Sequence, residues 1–149
     1  ELGRFIRNYR VNAEKNGLEI TPADGLQYID ESWMPELPWT GCSAGWITCG
    51  ITSDGKIKGC LSLSDEWIEG DLRKEDLWDI WFRPGSFACT RNFTKNQLGD
   101  NCRSCDKALE CLGGCSSSSY ASTGAFHNDP CCFRRVSREG CTAPDMIAH

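Results

Sequence analysis

The sequence predicts a small, irregular α+β domain that depends on bound metal for its order. All 11 cysteines of the 149 residues lie between Cys42 and Cys141, a density typical of chains cross-linked by disulfides or metal. Segment 46–63 has the two-residue period of a β-hairpin, whereas little of the chain after Cys89 has any period. A chain with so little regular structure needs cross-links in order to fold.

The first forty residues differ from the rest and predict a helix, a strand and a linker. Apolar residues recur at helical spacing over residues 2–13, which indicates an amphipathic helix packed on a neighbour. Gly17 follows as the C-terminal stop of that helix, and residues 18–20 predict a short strand. Residues 31–41 carry two prolines and two tryptophans without a period, so we expect a linker there.

The hairpin is predicted from alternation on both sides of a turn. Ile47, Cys49 and Ile51 are expected on one face, followed by a turn at residues 54–55. The second strand then leads into Cys60. Because antiparallel strands lie about 5 Å apart, we expect Cys49 and Cys60 to approach each other.

A short helix is predicted after the hairpin. Leu77, Ile80 and Trp81 share one helical face, and the pair at 84–85, Pro-Gly, ends the pattern. The six tryptophans are expected in core and interface packing.

Composition excludes several classes of protein. No apolar run approaches the ~20 residues needed to span a bilayer, and no export leader is visible, so we expect no membrane and a cytoplasmic location. The net charge is -5 and the basic residues are scattered, which argues against nucleic-acid binding. The chain begins at Glu1 rather than Met, and we expect a fragment of a longer protein.

The compact cysteine run favours metal ligation over disulfides. Four thiols within so short a loop cannot easily make separate long-range disulfides, but they can converge on one metal centre. A disulfide framework is further weakened by the odd number of cysteines and by two adjacent ones. The run is Cys102-x2-Cys105-x5-Cys111-x3-Cys115.

Zinc and iron–sulfur clusters both use four thiolates. Ribbon-type zinc sites usually repeat the two-residue spacing in the second pair, and here that pair is Cys111-x3-Cys115. In two-cluster ferredoxins the last cysteine of a compact run serves the other cluster. The offset last member of this run therefore favours iron–sulfur clusters, with structural zinc as an alternative.

The whole cysteine pattern resembles the seven-cysteine signature of the SPASM domain, the C-terminal extension of many radical SAM enzymes. The pattern is Cys42-x12-Gly55-x4-Cys60, then the compact run, then a cysteine after the Asp-Pro pair at 129–130. The resemblance covers residues 41–134. It implies that residues 1–40 are the end of a radical SAM core or a bridging helix and linker, and that 135–149 are a C-terminal tail.

The resemblance implies two auxiliary [4Fe-4S] clusters and assigns their ligands. A fourth protein ligand for the first cluster is open, because Cys49 could equally be a small apolar strand residue. In the second cluster Cys132 is preferred over Cys131 as the last ligand. The first cluster would take Cys42, Cys60, Cys115 and Cys49, and the second Cys102, Cys105, Cys111 and Cys132.

The resemblance also implies the role of the segment. The Cys-x3-Cys-x2-Cys motif of the SAM-cleaving cluster is missing, so SAM and a third [4Fe-4S] cluster would belong to a radical SAM barrel in the same parent chain. The segment alone would hold no catalytic residue and no SAM site, and would be inactive. The parent enzyme would be an oxidoreductase that modifies a peptide or protein, such as a ribosomally made peptide, with flavodoxin or ferredoxin as electron donor.

Two other functions remain open, namely a stand-alone electron-transfer module and a zinc-stabilised interaction domain. Among the remaining residues, Cys89 and Cys141 are predicted to be structural thiols. His127 is predicted at the surface, and Asp129 is predicted to orient a loop by hydrogen bonding. The glycines at 113–114 are expected to relieve crowding before Cys115 and to leave backbone N–H groups for a cluster.

Overall fold

The computed structural model describes residues 2–19, 41–132 and 134–135. These residues fall into two compact units, one with residues 2–19 and the described residues after 130, the other with residues 41–130. Nearly all of the predicted linker, and all of the predicted tail except Arg135, lie outside the described residues.

The N-terminal helix α1 spans Leu2–Lys15, which confirms the helical period. Gly17 follows the helix, and its φ of 75° is left-handed. The N–H of Leu18 bonds back to the Ala13 carbonyl at 3.0 Å, as expected of a glycine stop. The predicted strand at 18–20 is therefore wrong for its first two residues, because the chain there caps a helix; Ile20 lies outside the described residues.

Three short antiparallel strands form one sheet in the order β1-β2-β3. They are β1 (Gly50–Ile51), β2 (Lys56–Lys58) and β3 (Ile68–Asp71). Gly50 lies opposite Lys58. The turn between β1 and β2 places Gly55 at φ 82°, with its N–H on the Thr52 carbonyl at 2.9 Å. The predicted hairpin is confirmed, and β3 was not predicted.

The predicted apolar face of the hairpin is wrong. Ile47 is 81% exposed and Ile51 is 51% exposed, whereas Ile57 on β2 is completely buried. The reason is that residues 43–48 form a turn, in which the N–H groups of Trp46 and Ile47 both lie 3.0 Å from the Ser43 carbonyl. The two-residue alternation therefore stops before it reaches the sheet.

The main core lies between the sheet and helix α2 (Leu77–Phe82). Ile57, Ile80 and Phe87 are buried together, and Leu77 and Trp81 pack against them, as the helical face predicted. The prediction that the tryptophans pack in the core fails for Trp46 and Trp78, which are 54% and 65% exposed.

A buried carboxylate fixes the end of β3. Asp71 accepts hydrogen bonds from Lys56 Nζ at 2.8 Å and from the Arg73 guanidinium at 2.9 Å. These hydrogen bonds, from Arg73 first and then from Lys56, hold the pKa of the Asp71 carboxyl far below its usual range.

The remaining helices are short and are separated by turns. They are α3 (Ala88–Arg91), α4 (Ala108–Cys111) and α5 (Ser116–Thr123). A second, smaller core joins Leu98, Cys102 and Ala108. None of the helices in the described part of the chain is long and apolar enough to cross a bilayer. The predicted α+β class is confirmed.

Candidate metal centre

All the cysteines in the described part of the chain are thiols outside any disulfide. The disulfide alternative therefore has no support among these residues, and Cys141 lies outside them. No group of three or more His, Cys, Asp or Glu side chains within residues 2–19, 41–132 and 134–135 is arranged to hold a single metal ion. The donors are nevertheless chemically suitable for iron–sulfur clusters, which bind through cysteine thiolates.

Cys42 begins a loop that is anchored to α3. The carbonyl of Gly45 accepts a hydrogen bond from Arg91 Nε at 2.6 Å, and the Trp46 indole N–H donates to the Thr90 carbonyl at 3.2 Å. The Arg91 guanidinium also lies 4.6 Å from the centre of the Trp81 ring, in reach of a cation–π contact. The loop that carries Cys42 is thus held by residues far along the chain.

Cys49 and Cys60 lie at the open end of the hairpin. Since Gly50 pairs with Lys58, Cys49 is one residue and Cys60 two residues beyond that pair. The buried Lys58 ammonium donates to the Leu63 carbonyl at 2.6 Å, which fixes the turn that contains Cys60. Cys49 is half-buried and packs against the main core, so both interpretations of it, as ligand and as apolar strand residue, stay open.

Cys102, Cys105 and Cys111 follow one another on a continuous series of turns. The N–H of Cys105 donates to the Cys102 carbonyl at 3.0 Å, and the N–H of Ala108 donates to the Cys105 carbonyl at 3.2 Å. Cys111 is the last residue of α4. The two-residue spacing is therefore a single tight turn, with Cys102 buried in the smaller core.

Three consecutive residues between Cys111 and Cys115 have left-handed backbone. Leu112 has φ 55°, Gly113 φ 80° and Gly114 φ 92°. For Leu112 this conformation costs roughly 1 kcal/mol, and such strain is maintained only where the surroundings impose it. Residues 112–114 are called the left-handed turn below.

The glycines of the left-handed turn are required by close neighbours, the backbone of His127 at Gly113 and the side chain of Asp129 at Gly114. A Cβ on Gly113 would lie 2.4 Å from His127 Cα, and one on Gly114 would lie 2.7 Å from Asp129 Cβ. The prediction that these glycines relieve crowding is confirmed. The N–H of Gly114 donates to the Cys111 carbonyl at 3.3 Å, and the role of these N–H groups toward a cluster stays a prediction.

His127 is buried, which contradicts its predicted surface position. It is only 6% exposed, its φ is 58°, and its ring lies 4.7 Å from that of Phe93. Its Nδ1 lies 2.6 Å from the Leu112 carbonyl and its Nε2 lies 3.0 Å from the Cys89 carbonyl. The ring therefore joins the left-handed turn to α3.

The residues after His127 continue this packing. The Asn128 side-chain oxygen accepts hydrogen bonds from the backbone N–H and the side chain of Asn101, both at 3.0 Å. Asp129 is 3% exposed and lies against Gly114. Residues 127–129 therefore support both the turn that leads into Cys102 and the left-handed turn.

Cys89 is half-buried and lies in α3. Burial raises its pKa to about 11, and the nearby Glu69 and Cys42 act in the same direction. The structural role of Cys89 stays a prediction.

The last three cysteines with assigned or alternative roles differ in burial. Cys115 is 5% exposed and immediately precedes α5, with its Sγ 3.3 Å from Ser117 Oγ. Cys131 is exposed and Cys132 is half-buried. The choice between Cys131 and Cys132 stays a prediction.

Comparison with known families identifies the cysteine-rich part. Residues 42–106 match the SPASM family, described as an iron-sulfur cluster-binding domain. Those residues are similar to a SPASM domain. The matched part includes five of the cysteines with assigned ligand roles: Cys42, Cys49, Cys60, Cys102 and Cys105.

The curated relatives share one name. The chain is 28% identical over 126 residues to a PqqA peptide cyclase of Rhizobium meliloti (strain 1021), covering 78% of this chain and 32% of that protein. It is 33% identical over 98 residues to the PqqA peptide cyclase of Methylocella silvestris, covering 61% of this chain and 25% of that protein. It is 28% identical over 138 residues to the PqqA peptide cyclase of Granulibacter bethesdensis, covering 82% of this chain and 36% of that protein. The chain thus spans about a quarter to a third of the length of these relatives.

Proposed function

We propose that this chain is the C-terminal, cluster-binding segment of a radical SAM enzyme that modifies a peptide. The observation that carries the proposal is the match of residues 42–106 to an iron–sulfur domain, in a chain whose described cysteines are all thiols. The relatives are named as peptide cyclases and are three to four times longer than the part matched here, which supports a role as one segment of a larger enzyme.

The proposed ligands follow the SPASM pattern and form two [4Fe-4S] sites. The turns and the left-handed backbone described above support this assignment by fixing the segments that carry the sulfurs. The first site takes Cys42, Cys60 and Cys115, with Cys49 as its fourth ligand; the second takes Cys102, Cys105, Cys111 and, as predicted from the sequence, Cys132 or its alternative Cys131.

Such clusters, when bound, exchange single electrons at a potential set by their ligands and surroundings. The chain supplies thiolates for this purpose and limits how far they can move. The left-handed turn separates Cys111 from Cys115 by three residues of fixed backbone. We propose that this turn sets how the two sites are placed relative to each other, because each site takes one of these two cysteines as a ligand.

The parent protein would supply what this segment lacks. SAM and a third cluster would bind to a radical SAM barrel in the same parent chain, and the substrate would be a peptide or protein. A flavodoxin or ferredoxin would donate electrons, and the enzyme would work in the cytoplasm. A gene that encodes Cys-x3-Cys-x2-Cys upstream of Glu1 would support this enzyme, whereas a start codon immediately before Glu1 would favour a stand-alone electron-transfer module.

Anaerobic reconstitution followed by iron, sulfide and zinc analysis tests the cluster proposal. Two [4Fe-4S] clusters require about eight iron and eight sulfide per chain, and zinc in place of iron would establish the zinc alternative. The variant Cys105→Ala should retain about four iron. Cys89→Ala is the matched control and should bind iron as the unaltered chain does. Equal iron in all three proteins would contradict the ligand assignment.

A further inference from the structure

The Ser117 hydroxyl lies against the sulfur of a proposed ligand. Its Oγ is 3.3 Å from Cys115 Sγ, and either atom could donate the hydrogen while Cys115 is a thiol. Cysteine binds iron as a thiolate, which has no hydrogen to donate. Once Cys115 binds a cluster, the hydrogen of this contact therefore has to come from Ser117, whose hydroxyl carries one.

Among the described residues, the Ser117 hydroxyl has no hydrogen-bond partner other than this sulfur. Two other hydroxyls of α5 donate to carbonyl groups instead. Ser119 Oγ donates to the Ala125 carbonyl at 2.8 Å, and Thr123 Oγ1 donates to the Ser119 carbonyl at 2.8 Å. No such carbonyl competes with the sulfur for the Ser117 hydrogen within the part of the chain that the structure describes.

Burial strengthens the contact, and the start of α5 fixes its geometry. Cys115 is 5% exposed and Ser117 is half-buried, so water competes little for the sulfur. A hydrogen bond in such surroundings is electrostatically stronger than one in water. The N–H of Ser119 donates to the Cys115 carbonyl at 2.9 Å, which holds the hydroxyl and the sulfur on one formed helical turn.

A hydrogen bond to a ligand sulfur changes the reduction potential of a cluster. Reduction adds negative charge to the cluster and its sulfurs, and a donor stabilises that charge, so the potential rises. Cys115 is also the N-cap residue of α5, where the positive end of the helix dipole acts in the same direction. The contribution of the dipole does not depend on the side chain at position 117.

We propose that Ser117 is a positioning residue for Cys115, and that its hydroxyl donates a hydrogen bond to the ligand sulfur and raises the reduction potential of the cluster at the first site. This rests on the assignment of Cys115 to that site under Proposed function.

The midpoint potential of the reconstituted chain tests the proposal. The variant Cys105→Ala should retain the cluster of the first site alone, so that EPR-monitored redox titration reports one potential. In this variant we expect the added change Ser117→Ala to leave the iron content the same and to make the midpoint potential more negative. Ser118→Ala is the matched control, because it removes an exposed hydroxyl from the next residue of the same helix. Its potential should stay unchanged.

Two larger side chains separate the hydrogen bond from the space that the hydroxyl fills. Thr and Val are both branched at Cβ, and of the two only Thr carries a hydroxyl. Ser117→Thr should keep the potential of the serine chain. Ser117→Val, which also fills the space that a replacing water would need, should show the negative shift. Equal potentials of these two variants would contradict a role for the hydroxyl.

An unchanged potential in Ser117→Ala would overturn the proposal, as would an equal shift in Ser118→Ala. The two proposals can fail separately. A wild-type chain that takes up no iron refutes the cluster assignment, whereas a chain that takes up iron and has the same potential with and without the Ser117 hydroxyl refutes only the role of this residue.

Discussion

The replacement Gly113→Ala should be far more damaging than a glycine substitution with the same backbone conformation elsewhere. At Gly113 the new Cβ would have to lie 2.4 Å from His127 Cα and 2.6 Å from its carbonyl atoms. These are backbone atoms, which cannot rotate away. The left-handed conformation costs an alanine about 1 kcal/mol, and overpacking against a fixed neighbour adds about 1–3 kcal/mol. The expected loss of stability is therefore about 2–4 kcal/mol.

Gly124→Ala is the matched control. Gly124 has φ 71°, and a Cβ there would meet nothing within 4 Å. It should cost only about 1 kcal/mol, and the change in unfolded-chain entropy is common to both variants and cancels in the comparison. Urea unfolding of both proteins gives the difference, and iron analysis shows whether displacement of the turn also lowers cluster content. Equal stability of the two variants would refute the argument that close backbone approach requires Gly113.

Three further predictions concern the core, the sheet and the last ligand. Ile80→Ala should lower stability by about 2–5 kcal/mol in urea unfolding because the side chain is completely buried, whereas Ile47→Ala should change it little, since 81% of Ile47 is exposed; similar losses would contradict the assigned core. Asp71→Asn should lower the unfolding midpoint at neutral pH. Because the folded pKa of Asp71 is depressed, its stabilisation is fully present above about pH 4 and is lost as the pH falls further, so a difference that persists unchanged into strong acid would refute this cause. Cys132→Ala should retain less iron than Cys131→Ala, and equal iron in both would count against the preferred ligand.

Local patterns predicted the parts of the fold that depend on neighbours in sequence. The period of α1, the face of α2 and the turn at Gly55 could all be read from short windows. Strand β3 could not, because its sequence contains Gly70 and does not alternate. A Cβ at Gly70 would lie 2.6 Å from the Ile80 side chain, so packing against α2 explains that glycine, and no local pattern contains this information.

In the candidate site, too, local features could be predicted from the sequence and contacts between distant residues could not. Cysteine spacing indicated a compact run, and its first pair, Cys102 and Cys105, lies on one turn; the ligand assignment itself stays a prediction. The predicted surface position of His127 was wrong because the carbonyl groups that its ring contacts lie 15 and 38 residues away along the chain. A single histidine in an irregular segment has no periodic signal, and only the folded arrangement of carbonyl groups reveals its contacts.

The anchoring of the Cys42 loop has a consequence for the order in which the protein is assembled. Arg91 reaches back 46 residues to the Gly45 carbonyl and also donates to the Trp81 carbonyl at 2.6 Å. During synthesis the loop emerges from the ribosome well before the arginine that holds it. Contacts so distant in sequence form late. Cys42 therefore lies in a loop that takes its shape only after α3 has emerged.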